Sequence, residues 1–261
     1  MDESQELSKI PLKDHIIELG FQPISKAVDQ CYANIIAGKK GERYVFRTKW
    51  NKLNSLLLGG LQPGKMYVIG GRPGSGKSAF SNKLIFDMLD HPKNQDKLIV
   101  LYWSFEMPGY QQLMRIGSSN IGKKMSEILS VDTEFQDQHF DAFIKAMNPY
   151  KKYPVYFNNN ARDIDYVSKM TKRVAALNPG KIIVNLFDHS RLFKKSKEAS
   201  ELQMLTELSH NCIELQQDTK CITILLSQLN RNIESSERAT NLYQPMLSDL
   251  FGSDSIGHDF R

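Results

Sequence analysis

Five apolar runs recur along the chain: 65–71 (KMYVIGG), 98–105 (LIVLYWSF), 155–157 (VYF), 181–187 (KIIVNLF) and 221–227 (CITILLS). They are short and rich in β-branched and aromatic residues, so each is predicted to be a strand. Between them the apolar period lengthens to that of a helix. This predicts helices over Lys77–Leu89, from Tyr110 to Ser118, around 133–147, over Asp163–Leu177 and over 199–218. The last carries Leu202, Leu205, Leu208, Cys212 and Leu215 on one side. Strands that read as unbroken apolar runs, separated by helices, indicate an α/β domain with a mostly parallel central sheet covered on both faces. No internal repeat or low-complexity tract interrupts the pattern.

The first part of the chain has a different texture. Residues 1–23 are polar and include Pro11 and Pro23, which predicts a loosely structured arm. Ile24, Val28, Cys31 and Ile35 then fall at helical spacing, and Gly38 reads as a stop. That amphipathic helix has two readings: packing on its own domain, or serving as a linker that docks on a neighbouring subunit. Periodicity alone favours the first. The segment 38–46 (GKKGERYVF) is a basic linker. The expected division is an arm and helix over 1–47 and an α/β domain over 48–261.

Composition changes this picture little. With 261 residues, 41% apolar and 24% charged, the chain is an ordinary globular protein with one core. A net charge of +5 is compatible with a nucleic-acid partner without establishing one. Cys31, Cys212 and Cys221 match no metal or disulfide spacing and read as reduced thiols in a cytosolic protein. The polar N-terminus is no signal peptide. No apolar run approaches the ~20 residues of a membrane helix.

The chemistry begins at Gly71-Arg72-Pro73-Gly74-Ser75-Gly76-Lys77-Ser78, followed by Ala79, which fits the phosphate-loop pattern GxxxxGK[ST]. Glycines let the backbone curl so that successive N–H groups point inward as an anion nest. The helix that follows adds its positive end. Lys77 places a compact charge on the β- and γ-phosphates of ATP, and the Ser78 hydroxyl ligates Mg²⁺. The motif follows a predicted strand and opens a predicted helix, the context that separates a phosphate loop from a chance turn.

Ligands of open α/β sheets bind outside the carboxyl ends of the strands, so the other strand ends matter. The second run leads into Ser104-Phe105-Glu106-Met107-Pro108. Glu106 is placed either to polarise an attacking water or to sit at a helix start as a dipole partner. KIIVNLF leads into Asp188-His189, the Walker B arrangement, whose carboxylate holds the Mg²⁺ shell. His189 has no second ligand at metal spacing and reads as a site-lining or packing residue. The last run leads into Gln228, which either senses the γ-phosphate or simply ends the strand.

After Asp188, Arg191, Lys194, Lys195 and Lys197 put four cations into seven residues. Such a run is a solvated loop or a set of partners for nucleic-acid phosphates; its departure from the nucleotide site favours the second. Residues 230–248, with Arg231 and Arg238, read as a mobile loop. The turn after it offers backbone N–H groups around Gly252, opposed by Asp249 and Asp254.

Taken together these segments resemble one family. GGRPGSGKSAF with VLYWSFEMPGYQQLMR, IVNLFDHSRLF, and LLSQLNRNIESSER followed by LYQPMLSDLFGSDSI resemble, in order, the successive motifs of DnaB-type replicative DNA helicases. The match runs from about Thr48 to His258, and SFEMP with SQLNR and SDL is more specific than the phosphate loop alone. The resemblance implies a RecA-like P-loop fold, a homo-hexamer, ATP hydrolysis at subunit interfaces, and single-stranded DNA in a central channel. It implies that Glu106 is the catalytic base, that Lys77 and Ser78 bind phosphate and Mg²⁺, and that Asp188 is the Walker B carboxylate. By the same resemblance, Gln228 couples nucleotide state to DNA, and the turn with Phe251, Gly252 and Asp254 contacts the DNA backbone. It also turns the helix at 24–37 into a linker helix, against the periodicity reading.

Departures from the family shape the expectation. Phe251 and Gly252 stand where Arg and Glu are usual, which leaves backbone N–H groups as the route to phosphate there. The family's N-terminal primase-interacting domain has no counterpart, and the chain stops at Arg261, before the strands that carry the arginine finger. A finger contributes about 10³–10⁵ in rate, so slow turnover and exposed sheet edges are expected of this chain alone. The expected function is a replicative helicase motor of phage or mobile-element type, in a bacterial or phage-infected cytoplasm, with a primase or helicase loader as further partner. The alternatives are another RecA-fold ATPase of recombinase, repair or clock type, and a nucleotide-binding interaction module with little turnover.

Overall fold

The computed structural model describes residues 16–17, 19–42, 44–105, 107–130, 137–160, 163–188, 201–230, 233, 238, 242–246 and 249–250, with only the backbone over 201–206. The chain divides into two units, 1–44 and 45–261. In the first, helix α1 spans Ile24–Lys39 and buries none of its residues. Its apolar side chains Ile24, Val28, Tyr32, Ile35 and Ile36 are all exposed. The helix passes the expected stop at Gly38; Gly41 then takes a positive φ of 69°, while the Glu42 N–H donates to Ala37 O at 2.8 Å. Most of the polar arm read in the sequence, 1–15, lies outside the described residues.

The second unit opens with a short helix, α2 (Asn51–Leu56), between Phe46 and Leu61, which exchange two backbone hydrogen bonds. It then alternates β1 (Met66–Gly71), α3 (Lys77–Asp90), β2 (Leu98–Ser104), α4 (Gly109–Asn120), α5 (Met125–Leu129), α6 (Asp137–Met147), β3 (Val155–Asn158), α7 (Ile164–Leu177), β4 (Ile182–Asp188), α8 (Glu201–Thr219) and β5 (Ile222–Gln228). Single 3-10 turns at Pro92–Asn94 and Asn148–Lys152 link the elements. All five strands read from the apolar runs are present, and their order is β1-β5-β4-β2-β3 with every pairing parallel. The α/β expectation therefore holds, and the short helices α2 and α5 are additions to it.

The apolar runs are explained by burial on both faces. Side chains alternate between two cores. Ile99, Leu101, Trp103, Ile183, Phe187 and Leu225 pack with Val167 of α7 and Leu208, Cys212 and Leu215 of α8. On the other face Leu98, Val100, Tyr102, Val184, Leu186, Ile224 and Leu226 pack with Leu84, Ile85 and Met88 of α3. The strands β2, β4 and β5 are buried almost throughout, whereas β1 and β3, at the sheet margins, are half-buried. The one polar interruption of β4, Asn185, is buried, and its Oδ1 accepts from Trp103 Nε1 and Thr171 Oγ1, each at 3.1 Å. Cys212 and Cys221 are buried free thiols, and burial pushes the Cys212 thiol up to about 12. No helix among the described residues is long and apolar enough to cross a membrane.

Candidate functional site

The parallel sheet brings the carboxyl ends of β1, β5, β4 and β2 to one edge. At the first of these, β1 ends in Gly71 and α3 starts at Lys77. The turn between them depends on backbone that only glycine adopts cheaply, with φ of 74° at Gly74 and 90° at Gly76. Gly71 serves a different need. A Cβ there would stand 2.5 Å from Ser75 Oγ and 2.9 Å from Lys77 Cγ. The bare position lets Lys77 fold back over the loop, where its Nζ donates to Gly71 O and Arg72 O, each at 3.0 Å. Residues Arg72–Gly76 are exposed and Lys77 and Ser78 half-buried. The result is an open loop with a cation at its centre and a helix N-terminus behind it, which fits a polyphosphate anion.

Two strands away, Asp188 ends β4 and is buried. Its backbone faces Ser104 of β2 in register, and its carbonyl accepts from the Phe105 N–H at 3.0 Å. Its Oδ2 accepts from Gln112 Nε2 of α4 at 3.3 Å and from Tyr102 OH of β2 at 3.4 Å. Gln112 in turn accepts through Oε1 from Asn82 Nδ2 of α3, at 3.0 Å. Burial first, and the Asp188 charge second, push the Tyr102 phenol well above its ordinary range, so it remains a donor. Oxygen donors of this kind, the Asp188 carboxylate and the Ser78 hydroxyl, suit Mg²⁺. No cluster of three or more His, Cys, Asp or Glu side chains occurs among the described residues.

Between these two strands lies β5. Gln228, its last residue, stands in register with Gly71, and the next residue, Leu229, donates its N–H to Gly71 O at 3.2 Å. The sequence-predicted phosphate loop, Asp188 and Gln228 are therefore brought to one edge. Glu106, His189, Arg191, Lys194, Lys195, Lys197, Arg231, Phe251, Gly252 and Asp254 lie outside the described residues.

Sequence reasoning missed Asn82, Tyr102 and Gln112, the polar chain behind Asp188. It also misread Asp249. That acid is 2% exposed, and Arg238 grips it through two bonds of 3.1 and 2.8 Å. The Met246 N–H, which donates to Asp249 Oδ2 at 2.7 Å, is the main cause holding its carboxyl below the usual aspartate range; Arg238 adds to it.

The family model described as DnaB-like helicase C terminal domain matches residues 46–260. The chain is 27% identical over 204 residues to the replicative DNA helicase DnaB of Synechocystis sp., covering 78% of this chain and 22% of that protein. It is 28% identical over 206 residues to the DnaB of Buchnera aphidicola subsp. Schizaphis graminum, covering 77% and 41%. The DnaB of Mycoplasma pneumoniae is 27% identical over 214 residues, covering 78% and 42%. The chain thus spans less than half the length of these relatives. Among solved structures, one described as an ATPase domain superposes with a TM-score of 0.74 at 20% identity, over 92% of this chain and 81% of that one. A DnaB-like replicative helicase, solved in a study of its interactions with primase, superposes with a TM-score of 0.75 at 20% identity, over 98% and 61%. These likenesses identify the fold as RecA-like.

Proposed function

The chain belongs to the family of DnaB-like helicase C-terminal domains, and from that membership we propose that it is an ATP-hydrolysing motor that translocates on single-stranded DNA during replication. The observation that carries the reading is the shared edge of the phosphate loop, Asp188 and Gln228, with Gln228 in register with Gly71.

In this reading the residues from Gly71 to Ala79 bind the triphosphate of ATP, and Lys77 leaves its two loop carbonyls for the β- and γ-phosphates. Ser78 and Asp188 hold Mg²⁺, which neutralises charge on the phosphate oxygens when bound. Tyr102 and Gln112 orient the Asp188 carboxylate. Glu106 accepts a proton from the attacking water as that water's oxygen bonds to the γ-phosphorus and the bond to the bridging oxygen breaks. Gln228 carries the change to the loops beyond β4 and β5. There Arg191, Lys194, Lys195, Lys197 and Arg231, with the turn Phe251, Gly252 and Asp254, meet the DNA backbone.

The assembly is a homo-hexamer whose arm and linker helix occupy 1–47 and whose motor begins at 48. The exposed apolar side chains Ile24, Val28, Tyr32 and Ile35 of α1 support this reading as the stripe that a neighbouring copy would cover. A primase or helicase loader is a further partner, in the cytoplasm of a bacterium or phage-infected cell.

The test is steady-state ATP hydrolysis with and without single-stranded DNA, together with forked-duplex unwinding. DNA-stimulated hydrolysis that is lost in Lys77→Ala and Glu106→Gln supports the motor. Nucleotide binding without hydrolysis in the assembled hexamer overturns it in favour of an interaction module, and strand exchange without unwinding favours a recombinase-type ATPase.

A further inference from the structure

The chain beyond β5 is tied into a closed loop by one acid. The Asn230 N–H donates to the Asp249 carbonyl at 2.7 Å, and Leu229 and Leu250 form an antiparallel bridge, so the two ends of the loop meet. Inside it, Arg238 reaches back to Asp249 with both terminal nitrogens and also donates to the Gln244 carbonyl at 2.8 Å. Asp249 Oδ2 holds the Met246 N–H as well. The pair is sheltered: the acid's side chain is 2% exposed and the arginine's 15%. A forked pair of this kind fixes orientation as well as distance.

The closed loop is seated on the phosphate-site strand. A Cβ on Gly70 would stand 2.7 Å from Leu250 Cδ2 and 3.1 Å from Leu229 Cδ2. The absence of a side chain at Gly70 lets both leucines rest against β1, one residue before the phosphate loop begins. Leu250 is therefore set against β1, and its neighbour Asp249 is fixed to Arg238.

We propose that Arg238 and Asp249 are positioning residues that hold Asp249 and Leu250 against Leu229 and the end of β1, so that nucleic acid bound by the chain beyond β5 is coupled to the phosphate loop. This rests on the motor reading above for the identity of the nucleic-acid partner, and not for the lock itself.

The experiment uses the full chain with Arg238→Gln, Asp249→Asn and the double variant, with oligo-dT as the probe. Two readouts are taken. The first is amide hydrogen exchange at Asn230 and Met246 without DNA; faster exchange in each single variant supports the lock, and unchanged exchange overturns it. The second is ATP hydrolysis against oligo-dT concentration. The half-saturating concentration rises by about tenfold, while KM for ATP and DNA-free turnover stay at the unsubstituted values. The double variant matches the worse single, because both remove one interaction. Additive losses, or an unshifted half-saturating concentration, overturn the positioning role. If the unsubstituted chain itself shows no stimulation by oligo-dT, the motor reading fails, and the exchange data still judge the lock.

Discussion

At the end of β1 the candidate phosphate site is shaped by backbone; at the end of β4 the candidate metal carboxylate is held by side chains drawn from other elements. The phosphate loop is shaped chiefly by its own residues: two glycines at positive φ, a bare Gly71 and a lysine bonded to its own loop. Asp188 depends on Tyr102 from β2, on Gln112 from α4 and, through Gln112, on Asn82 from α3. A loop of the first kind can lose a side chain and keep its shape. A corner of the second kind cannot, because each deletion leaves a buried polar partner unpaired. Function and stability should therefore separate at the first site and fail together at the second.

The largest effect expected is at the loop. Lys77→Ala lowers ATP hydrolysis by at least about 10²-fold, the scale for loss of one charge-stabilising donor. A thermal melt of the same variant stays close to the unsubstituted protein, since Lys77 is half-buried and its ammonium donates to carbonyls of its own turn. A large fall in melting temperature would break the comparison. Next comes Gln112→Leu. Loss of a residue that orients a metal ligand costs about 10- to 100-fold in metal affinity or activity. Here the Mg²⁺ needed for half-maximal hydrolysis should rise on that scale. Denaturant melts should show about 1–3 kcal/mol of lost stability, because Asn82 loses its acceptor. A metal effect without the stability effect would mean that the corner is not held as described.

Tyr102→Phe sharpens the same point at lower cost. Its bond to Asp188 is long, at 3.4 Å, so stability should fall by only about 1 kcal/mol. The ratio of the Gln112 and Tyr102 effects, measured in one denaturant series, ranks the two supports of Asp188. The smallest effect concerns pH and tests Asp249, the second acid held by neighbours. Its folded carboxyl lies below the ordinary range because of the Met246 N–H and Arg238. Its contribution is therefore complete above the unfolded aspartate value of about 4 and is lost as pH falls through the lower folded value. Urea melts should show the advantage of the unsubstituted chain over Asp249→Asn shrinking below that point. An advantage that is constant down to about pH 3 would sink the claim.

The same contrast explains what the sequence makes legible. Strands β2, β4 and β5 are covered on both faces, so their burial is written as unbroken apolar runs, and even β1 and the four-residue β3 stand out beside them. Helices α2 and α5 are too short to complete an apolar period and left no such trace. The phosphate loop is contiguous, and Asp188 and Gln228 each end a readable strand. Gln112 and Asn82 look like ordinary polar positions of amphipathic helices. Their role exists only because α3 and α4 come together, pairing residues 30 positions apart with an acid 76 positions further along from Gln112. Asp249 reads locally as a charge that repels phosphate; only the fold reveals that Arg238 neutralises it.

The strand order carries one consequence for how such a chain is made. Among the described residues β1 has a single neighbour, β5, with Met66 beside Thr223 and Gly71 beside Gln228. During synthesis the candidate phosphate loop precedes β2, β3, β4 and β5, yet the strand that anchors it has no hydrogen-bonding partner among the described residues until β5 has followed. Pairing of such distant segments is slow, and an unpaired parallel strand is exposed in the meantime. β2, β3 and β4 come together before β1 can join them through β5. Of the site segments described, the candidate phosphate loop is thus made first, yet its strand is secured only when β5 pairs with it.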